Sequence, residues 1–391
     1  MNILILSHKP PYPIVDGSCH AMDRFLRDLL KTMPNINIDY ISIATQKHIF
    51  NAEKIPEDLV EIVNFDADSI STKIDPFNAL IQLIRNKSYH ISRFKNEKIL
   101  QKIKSVVNQK KIDFIFFESI FSGTYAEEIK ELSSATQVLR AHNVEHLIWR
   151  KLALNEKNPL KKWYLNHLSK TLEDFEKEFV EKMDCVFSIA PSDQVFFKTL
   201  NNASNYIPVS MEVSSVRKLK AKKISFLGAY NWMPNKEAIL WFTNEVWPEI
   251  AKLNPTTEFH IAGSYSEEIE ELKNKEGIKL HGFVTSSQDF MKEHGIFIAP
   301  ILSGSGVKMK VLEAMSHGVP CVLSTHAAEG LSLPEIIPIC KNKEAFIEKV
   351  SLLLQNEHLC HEIGVAGREY IFEKYNSESV SNKIKGLLLN K

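Results

Sequence analysis

Residues 295–324 read GIFIAPILSGSGVKMKVLEAMSHGVPCVLS. An apolar run over 295–300 closes on Pro300, and a loop with Gly304 and Gly306 follows. A helical pattern opens near Val307, and a second apolar run occupies 319–324. This is one strand–helix–strand unit. Continuous apolar strands joined by crossover helices belong to parallel sheets covered on both faces. The loop also poses a chemical question. Lys308 and Lys310 fall in the first turn of the expected helix, where the backbone dipole disfavours cations. Glycines there let backbone N–H groups approach a ligand, and a helix N-terminus attracts anions. A bound diphosphate would compensate both lysines. Glu313, one turn deeper on the same face as Lys310, is placed to accept hydrogen bonds from sugar hydroxyls. The plain alternative is a solvated face with a Lys310–Glu313 pair worth about 0.2–0.5 kcal/mol.

Working outward, the same alternation runs through the chain. Strands are expected at 2–6, 36–43, 59–65, 112–117, 136–140 and 185–189. A second series is expected at 223–228, 257–262, 278–281, 295–300, 319–324 and 336–340. Helical patterns separate most of them; in 18–32, Ala21, Met22, Phe25, Leu26, Leu29 and Leu30 repeat at helix spacing. Two such series imply two doubly wound α/β domains, with an irregular boundary near 205–222. The expected division is 1–207, joined by a C-terminal helix of about 368–391, and 208–367. Ligands of such sheets bind beyond the carboxyl ends of the strands, so the space between two facing domains is the expected site.

Bulk properties narrow the class. The chain has 391 residues, 44% hydrophobic and 25% charged, enough for two full cores. Lys+Arg and Asp+Glu both total 48, so no nucleic-acid partner is indicated. Five scattered cysteines without a Cys-x-x-Cys fit a reducing compartment better than a disulfide framework or zinc site. The opening MNILILSHKPPYP lacks the basic start and apolar length of a signal peptide. No run reaches the roughly 18 apolar residues of a spanning helix. The expectation is a cytoplasmic protein.

Other segments bear on chemistry. Gly17 and Ser18 sit at the first strand-to-helix turn, with Ser18 or Asp16 as N-cap. No Gly-x-Gly-x-x-Gly is present there, which removes the reason to expect a nicotinamide cofactor. The segment LRAHNVEHLIWRK (139–151) places Arg140, His142, Asn143, Glu145 and His146 at a strand's carboxyl end. In FLGAYNWMPNKEAILWF (226–242), Gly228 permits close backbone approach, Trp232, Pro234 and Asn235 stiffen the turn, and Trp241 and Phe242 read as core. Asp66-Ala67-Asp68 has the spacing of a metal–diphosphate motif from a single-domain class of sugar transferases. Two βα series argue against that class, and no metal is expected.

These segments, with HGFV at 281–284, the stretch 304–330 and the tail AGREYIFEKYNSESVSNKIKGLLL, make the chain resemble family 4 glycosyltransferases of the two-Rossmann (GT-B) type, in the subgroup with Gly-Ser-Gly-x-Lys-x-Lys before Leu-Glu-Ala-Met. The resemblance spans almost the whole length. It implies a retaining transferase that takes sugar from a UDP-, GDP- or similar nucleotide donor, needs no metal, and serves cell-surface polysaccharide or glycoconjugate synthesis. By it, Glu313 binds the donor ribose, Gly17 approaches the diphosphate, and His142 contacts the donor sugar. Gly263 and the Phe283–Val284 backbone border the nucleobase. Gly228, Ser305, Gly306 and Val307 complete the donor side, with Lys308 and Lys310 neutralising diphosphate. Asn143 and Glu145 face the acceptor. Catalysis would rest on His142, Lys310 and Glu313.

The chain departs from the family in two places. Where many members carry the first of two glutamates eight positions apart, it has Ser305. Where many have an Arg and a Lys after the first strand of the second domain, only Lys236 is basic. The diphosphate charge therefore falls to Lys308 and Lys310. The rival readings are a nucleotide-sugar epimerase of the same fold, which needs no acceptor, and a sugar-nucleotide binding protein without turnover. The acceptor is expected to be a glycan or a lipid-linked sugar. Residues 78–111 carry nine Lys or Arg against one acid, Glu97, beside Leu80, Ile81, Leu83 and Ile84. That combination suits peripheral contact with an anionic membrane, at its inner face; the alternative is a basic helix whose apolar residues are core.

Overall fold

A computed structural model describes residues 1–33, 35–214, 223–304 and 306–389. The chain divides into two compact units, Met1–Val209 with the residues from Ser381 onward, and Ser210–Val380.

The first unit is built on seven parallel strands: β1 (Asn2–Ser7), β2 (Asn37–Ala44), β3 (Val63–Ser69), β4 (Phe114–Glu118), β5 (Thr136–Ala141), β6 (Cys185–Ser188) and β7 (Ser204–Tyr206). Their order is β3-β2-β1-β4-β5-β6-β7. NILILS forms a central strand because Ile3, Leu4, Ile5 and Leu6 all find apolar cover. The Gly17–Thr32 helix is started by Asp16, whose carboxylate accepts from the Cys19 amide. Its apolar stripe, including Met22, Phe25 and Leu29, is buried. Phe25 meets Phe116 edge-on at 5.2 Å, and Phe116 lies 6.1 Å from Phe187. Each such buried ring contributes roughly 1.5–3 kcal/mol.

The second unit repeats the plan with β8 (Lys223–Leu227), β9 (Glu258–Ala262), β10 (Ile278–Leu280), β11 (Ile296–Ala299), β12 (Cys321–Ser324) and β13 (Ile339–Cys340). All pairs are parallel, in the order β10-β9-β8-β11-β12-β13. Phe242, Phe259, Phe346 and Trp247 form its aromatic core. The Glu357–Tyr375 helix packs here through its glycines; a Cβ on Gly364 would sit 2.2 Å from the Gly318 carbonyl oxygen.

The last helix, Ser377–Leu389, returns to the first unit. There the Thr32 hydroxyl donates to the Ser381 carbonyl at 3.1 Å, and Lys383 lies 5.5 Å from the Tyr206 ring. The two Rossmann-like sheets with a returning C-terminal helix match the architecture expected from the sequence.

Local readings differ in four places. The strand expected at 59–65 is Val63–Ser69, because Glu57–Val60 is a helical turn. β7 is an extra three-residue strand. The run expected at 336–340 is strand only at its end. Asp66 and Asp68 lie within β3 rather than after a strand, and Lys102 binds both oxygens of Asp66 at 2.7 and 2.8 Å. All five cysteines are free and buried. Among the described residues, no helix is long and apolar enough to cross a membrane.

Candidate functional site

Each sheet reverses its winding between its first and fourth strands, β1 and β4 in one unit, β8 and β11 in the other. Open α/β sheets bind ligands beyond the strand ends at such reversals. The sequence-selected residues gather at these two places.

At the first, β1, β4 and β5 deliver His8, Glu118, Arg140 and His142. Glu118 is fully buried at the end of FIFFE. Its Oε2 accepts from Arg140 Nη1 at 2.8 Å and from His142 Nε2 at 2.6 Å. With Nε2–H committed to the carboxylate, neutral His142 keeps an acceptor at Nδ1, and the Ser18 hydroxyl lies 2.9 Å from it. Arg140 also donates to the Ala21 carbonyl at 3.0 Å. Burial opposes ionisation of Glu118, but Arg140 and His142 outweigh it and hold the carboxyl below its usual range. Burial lowers His142 despite Glu118, and lowers His8 to about 3.

The adjoining turn is also charged. Asp16, not Ser18, is the N-cap preceding Gly17. Its Oδ2 accepts from Lys9 Nζ at 2.5 Å and from His48 Nε2 at 3.2 Å. Burial resists this charge, yet His48, Lys9 and the Cys19 amide hold Asp16 far below the carboxylate range. Asn143 and Glu145 lie one step further along. Asn143 donates to Glu145 Oε1 at 3.3 Å, and the Glu145 amide donates to buried Glu176. Burial, then the charge of Glu176, pushes the Glu145 carboxyl up to about 8.

At the second place, three glycines end three neighbouring strands. Gly263 adopts φ +125°, and a Cβ there would fall 1.8 Å from the Gly228 carbonyl oxygen. Gly263 in turn donates to the Gly282 carbonyl at 2.7 Å. A Cβ on Gly228 would meet the Asn235 amide at 2.9 Å and Lys310 Nζ at 3.3 Å. The backbone is thus kept bare so that Asn235 and Lys310 can lie against it. Lys310 Nζ donates to Asn235 Oδ1 at 2.7 Å and to the Leu227 carbonyl at 3.1 Å, 4.1 Å from the Phe226 ring centroid. Burial, then Lys308, lowers this ammonium to about 7.

The helix begins at Met309, two residues later than expected, so Lys308 occupies the N-cap and Val307 the coil before it. Lys308 Nζ donates to the Gly306 carbonyl at 2.6 Å. Gly304 and Gly306 have φ +97° and +78°, which explains both glycines. Ser303 ties the loop to Glu237 at 2.9 Å. Ser305 lies outside the described residues. The Lys310–Glu313 pair offered as the plain alternative is not what forms: the Glu313 carboxylate accepts from the Ser287 hydroxyl. Ser287 opens the Ser287–Glu293 helix, four residues after exposed Phe283 and three after Val284.

Sequence reasoning missed Glu118, Asn235 as the lysine's partner, and Ser287. A carboxylate closing an all-apolar strand was the available signal for Glu118. The other two partnerships join residues 75 and 26 positions apart and need the fold. Among the described residues, one group of side chains is spaced to hold a metal ion: His260, His281 and His294.

Residues 221–356 match the family model described as "Glycosyl transferases group 1". A Klebsiella pneumoniae protein described as "Uncharacterized 44.6 kDa protein in cps region" is 24% identical over 397 residues, covering 98% of each chain. Among solved structures, Anabaena Alr3699/HepE in complex with UDP-glucose aligns over 100% of both chains at TM-score 0.69 and 12% identity. A point mutant of Staphylococcus aureus TarM, in complex with fondaparinux, alpha-GlcNAc-glycerol and UDP, aligns over 99% of both at TM-score 0.66 and 12% identity. Thermosynechococcus elongatus sucrose-phosphate synthase aligns at TM-score 0.69 and 13% identity, over 100% of this chain and 98% of its own. The chain has the GT-B fold, and about a third of its length, within the second unit, matches a glycosyltransferase family model.

Proposed function

We propose that the protein transfers a sugar, with retention of configuration, from a nucleoside diphosphate sugar to a glycan or lipid-linked acceptor in surface polysaccharide or glycoconjugate synthesis. The second unit, taken as 208–367, binds the donor, and the first, 1–207 with the C-terminal helix, receives the acceptor. The observation that carries this is Lys310. Its ammonium lies half-buried at the end of β8, held by neutral acceptors, and lowered to about 7 with Lys308 close by. Such a cation gains from an arriving diphosphate.

Departure of the nucleoside diphosphate builds negative charge on phosphate oxygens. Lys308, Lys310 and the N–H groups of the loop at Gly306 are fixed donors of the kind that lowers such a barrier. The acceptor attacks on the face the leaving group departs from, and the departing phosphate takes the acceptor proton. No protein nucleophile is required. Glu313 holds the ribose, and the backbone at Gly263, Phe283 and Val284 borders the base. Gly17 approaches the diphosphate, His142 contacts the donor sugar, and Asn143 and Glu145 face the acceptor. The relatives bearing UDP in their descriptions, and a relative from a cps region, support this reading.

The membrane reading gains from the Pro76–Ile84 helix, which buries no residue; Phe77 is 74% and Ile84 76% exposed. These apolar side chains are therefore not core. Lys95, Lys102 and Lys110 are paired with Glu128, Asp66 and Asp39. Arg85 and Lys87, which follow this helix directly, are exposed. We place the protein in the cytoplasm, touching the inner membrane face through this helix.

Calorimetry with UDP and uridine tests the donor site. Lys310→Ala should lose roughly 1.5–3 kcal/mol of UDP affinity, the range for a charged hydrogen bond, and leave uridine unchanged. Unchanged UDP binding would overturn the assignment. Labelled nucleotide sugars incubated with a lipid and glycan extract test the reaction: product formed without acceptor would favour an epimerase. Anionic vesicles test the last point, with binding that weakens as salt rises and falls in Arg85→Glu/Lys87→Glu.

A further inference from the structure

We propose that His260, His281 and His294 form a binding site for a divalent transition ion of the zinc class, which pins both ends of segment 281–294 to β9. The three rings come from separate elements. His260 is in the middle of β9, His281 follows β10, and His294 ends the Ser287–Glu293 helix. One ring nitrogen from each lies within 4.8 Å of the others.

The second contacts of the rings select the ligand atoms. His294 Nδ1 lies 2.7 Å from the Phe290 carbonyl, which only an N–H satisfies, so Nε2 carries the lone pair. His260 Nε2 lies 3.2 Å from Glu258 Oε2, so its proton sits there and Nδ1 is the acceptor. Metal-binding histidines characteristically give their other N–H to a carboxylate or carbonyl in this way. His281 Nε2 stands 2.8 Å from His260 Nδ1 and donates its N–H to it; it supplies the third nitrogen once that proton moves to its own Nδ1, which metal binding drives. A tetrahedral ion with bonds of about 2.0–2.1 Å needs nitrogens about 3.3 Å apart; the His260–His281 pair is at 2.8 Å, and one nitrogen of each ring lies within 4.8 Å of the others. His281 is exposed, which leaves the fourth position to water.

The surrounding charge is mixed. Lys223 disfavours a cation at all three rings, and Lys279 lies near Glu258 at 4.0 Å. Glu258 and Glu293 favour it. Burial first, with the charge of Lys223, lowers all three imidazoles. The segment so pinned includes Phe283, Val284 and Ser287. Any effect on nucleotide binding therefore rests on the donor reading above, whereas the ion site itself does not.

The full-length protein, stripped with chelator, is titrated with Zn2+ by calorimetry and with Co2+ by visible absorption. The expected result is one equivalent bound, d–d bands of a four-coordinate cobalt site, a higher Tm with Zn2+, and slower amide exchange over 281–294. His281→Ala, at an exposed position, should fold and abolish all four signals. Glu258→Gln should weaken binding about 10–100-fold. His358→Ala/His361→Ala, which removes an exposed pair one turn apart, should leave them intact. Absence of stoichiometric binding overturns the proposal. So does binding that survives His281→Ala or disappears with the 358/361 pair, since the ion is then adventitious.

Discussion

The two strand-order reversals use their charges in opposite ways. At β1/β4, Glu118 bridges Arg140 and His142, Ser18 occupies the remaining His142 nitrogen, and Asp16 answers Lys9 and His48. Charge there is compensated by charge. At β8/β11, Lys310 rests on a carbonyl and an amide, and Glu313 on a hydroxyl. The charge-paired network fixes geometry at its buried members, Glu118, Arg140 and His142, since removing one strands another in a dry interior. The open one leaves attraction to spare for a ligand. Substitutions at the first should therefore cost stability, and at the second, affinity.

The largest effect expected is at Arg140. Arg140→Ala leaves Glu118 with one charged partner fewer in full burial, a loss of about 3–5 kcal/mol in the first unit. Chemical denaturation followed by calorimetry of the remaining folded protein should find UDP affinity intact. A stable Arg140→Ala that no longer binds UDP would reverse the assignment of roles between the two places.

Gly263→Ala sharpens the contrast from the other side. Its φ of +125° and the 1.8 Å approach to Gly228 mean that β8 and β9 must part. Roughly 1–3 kcal/mol of backbone strain adds to the clash. Both second-unit stability and nucleotide affinity should fall together, as measured by denaturation and UDP titration, while the first unit's transition stays in place.

The contrast also explains what was legible in the sequence. Strands buried on both faces read as unbroken apolar runs, so β1, β4 and β11 stand out. β3 did not, because it is an edge strand ending in polar DADS, while Leu59 and Val60 just before it look like strand. Pro56, Glu57 and Asp58 start a helical turn there instead. β7 is too short to carry a pattern. At the sites, Lys308 and Lys310 were visible because they contradict a local rule, cations at a helix start. Glu118 contradicts no local rule beyond ending an apolar strand, and its meaning depends on Arg140 arriving from the next strand. Asn235 and Ser287 are ordinary first-turn helix residues until the fold brings Lys310 and Glu313 to them.

The two places should also titrate in different windows. In the first unit, burial lowers His90 to about 4 and His8 to about 3, both from an ordinary 6.5. The unfolded chain takes up these protons first, so the contribution of the two histidines is full above about pH 6.5 and is lost as pH falls below it, whereas Glu145, raised from 4.5 to about 8, opposes folding as pH rises between those values. Lys310, lowered from 10.5 to about 7, acts between those values. There the unfolded chain again holds the extra proton, so raising pH from 7 to 9 should stabilise the second unit by up to about 1.4 kcal/mol per unit. UDP reverses the sign for binding, because a diphosphate favours the ammonium. Affinity should fall up to about tenfold per pH unit above 7. Lys310→Met should abolish both slopes, and parallel pH series by calorimetry and thermal melting would expose a flat wild-type response if Lys310 stays charged throughout.

The smallest effect expected is at Ser287, and it separates the two halves of the donor reading. Its hydroxyl donates to Glu313, so it orients the carboxylate assigned to the ribose without touching the phosphates. A hydrogen bond of this kind is worth about 0.5–1.5 kcal/mol net. Ser287→Ala should therefore weaken uridine and UDP by the same modest factor, whereas Lys310→Ala weakens UDP alone. Ser287 is half-buried at a helix start capped by Ser286, so its loss leaves the cap in place and folding unchanged. If Ser287→Ala lowers UDP affinity but spares uridine, Glu313 serves the phosphates rather than the ribose, and the order of groups along the donor must be redrawn.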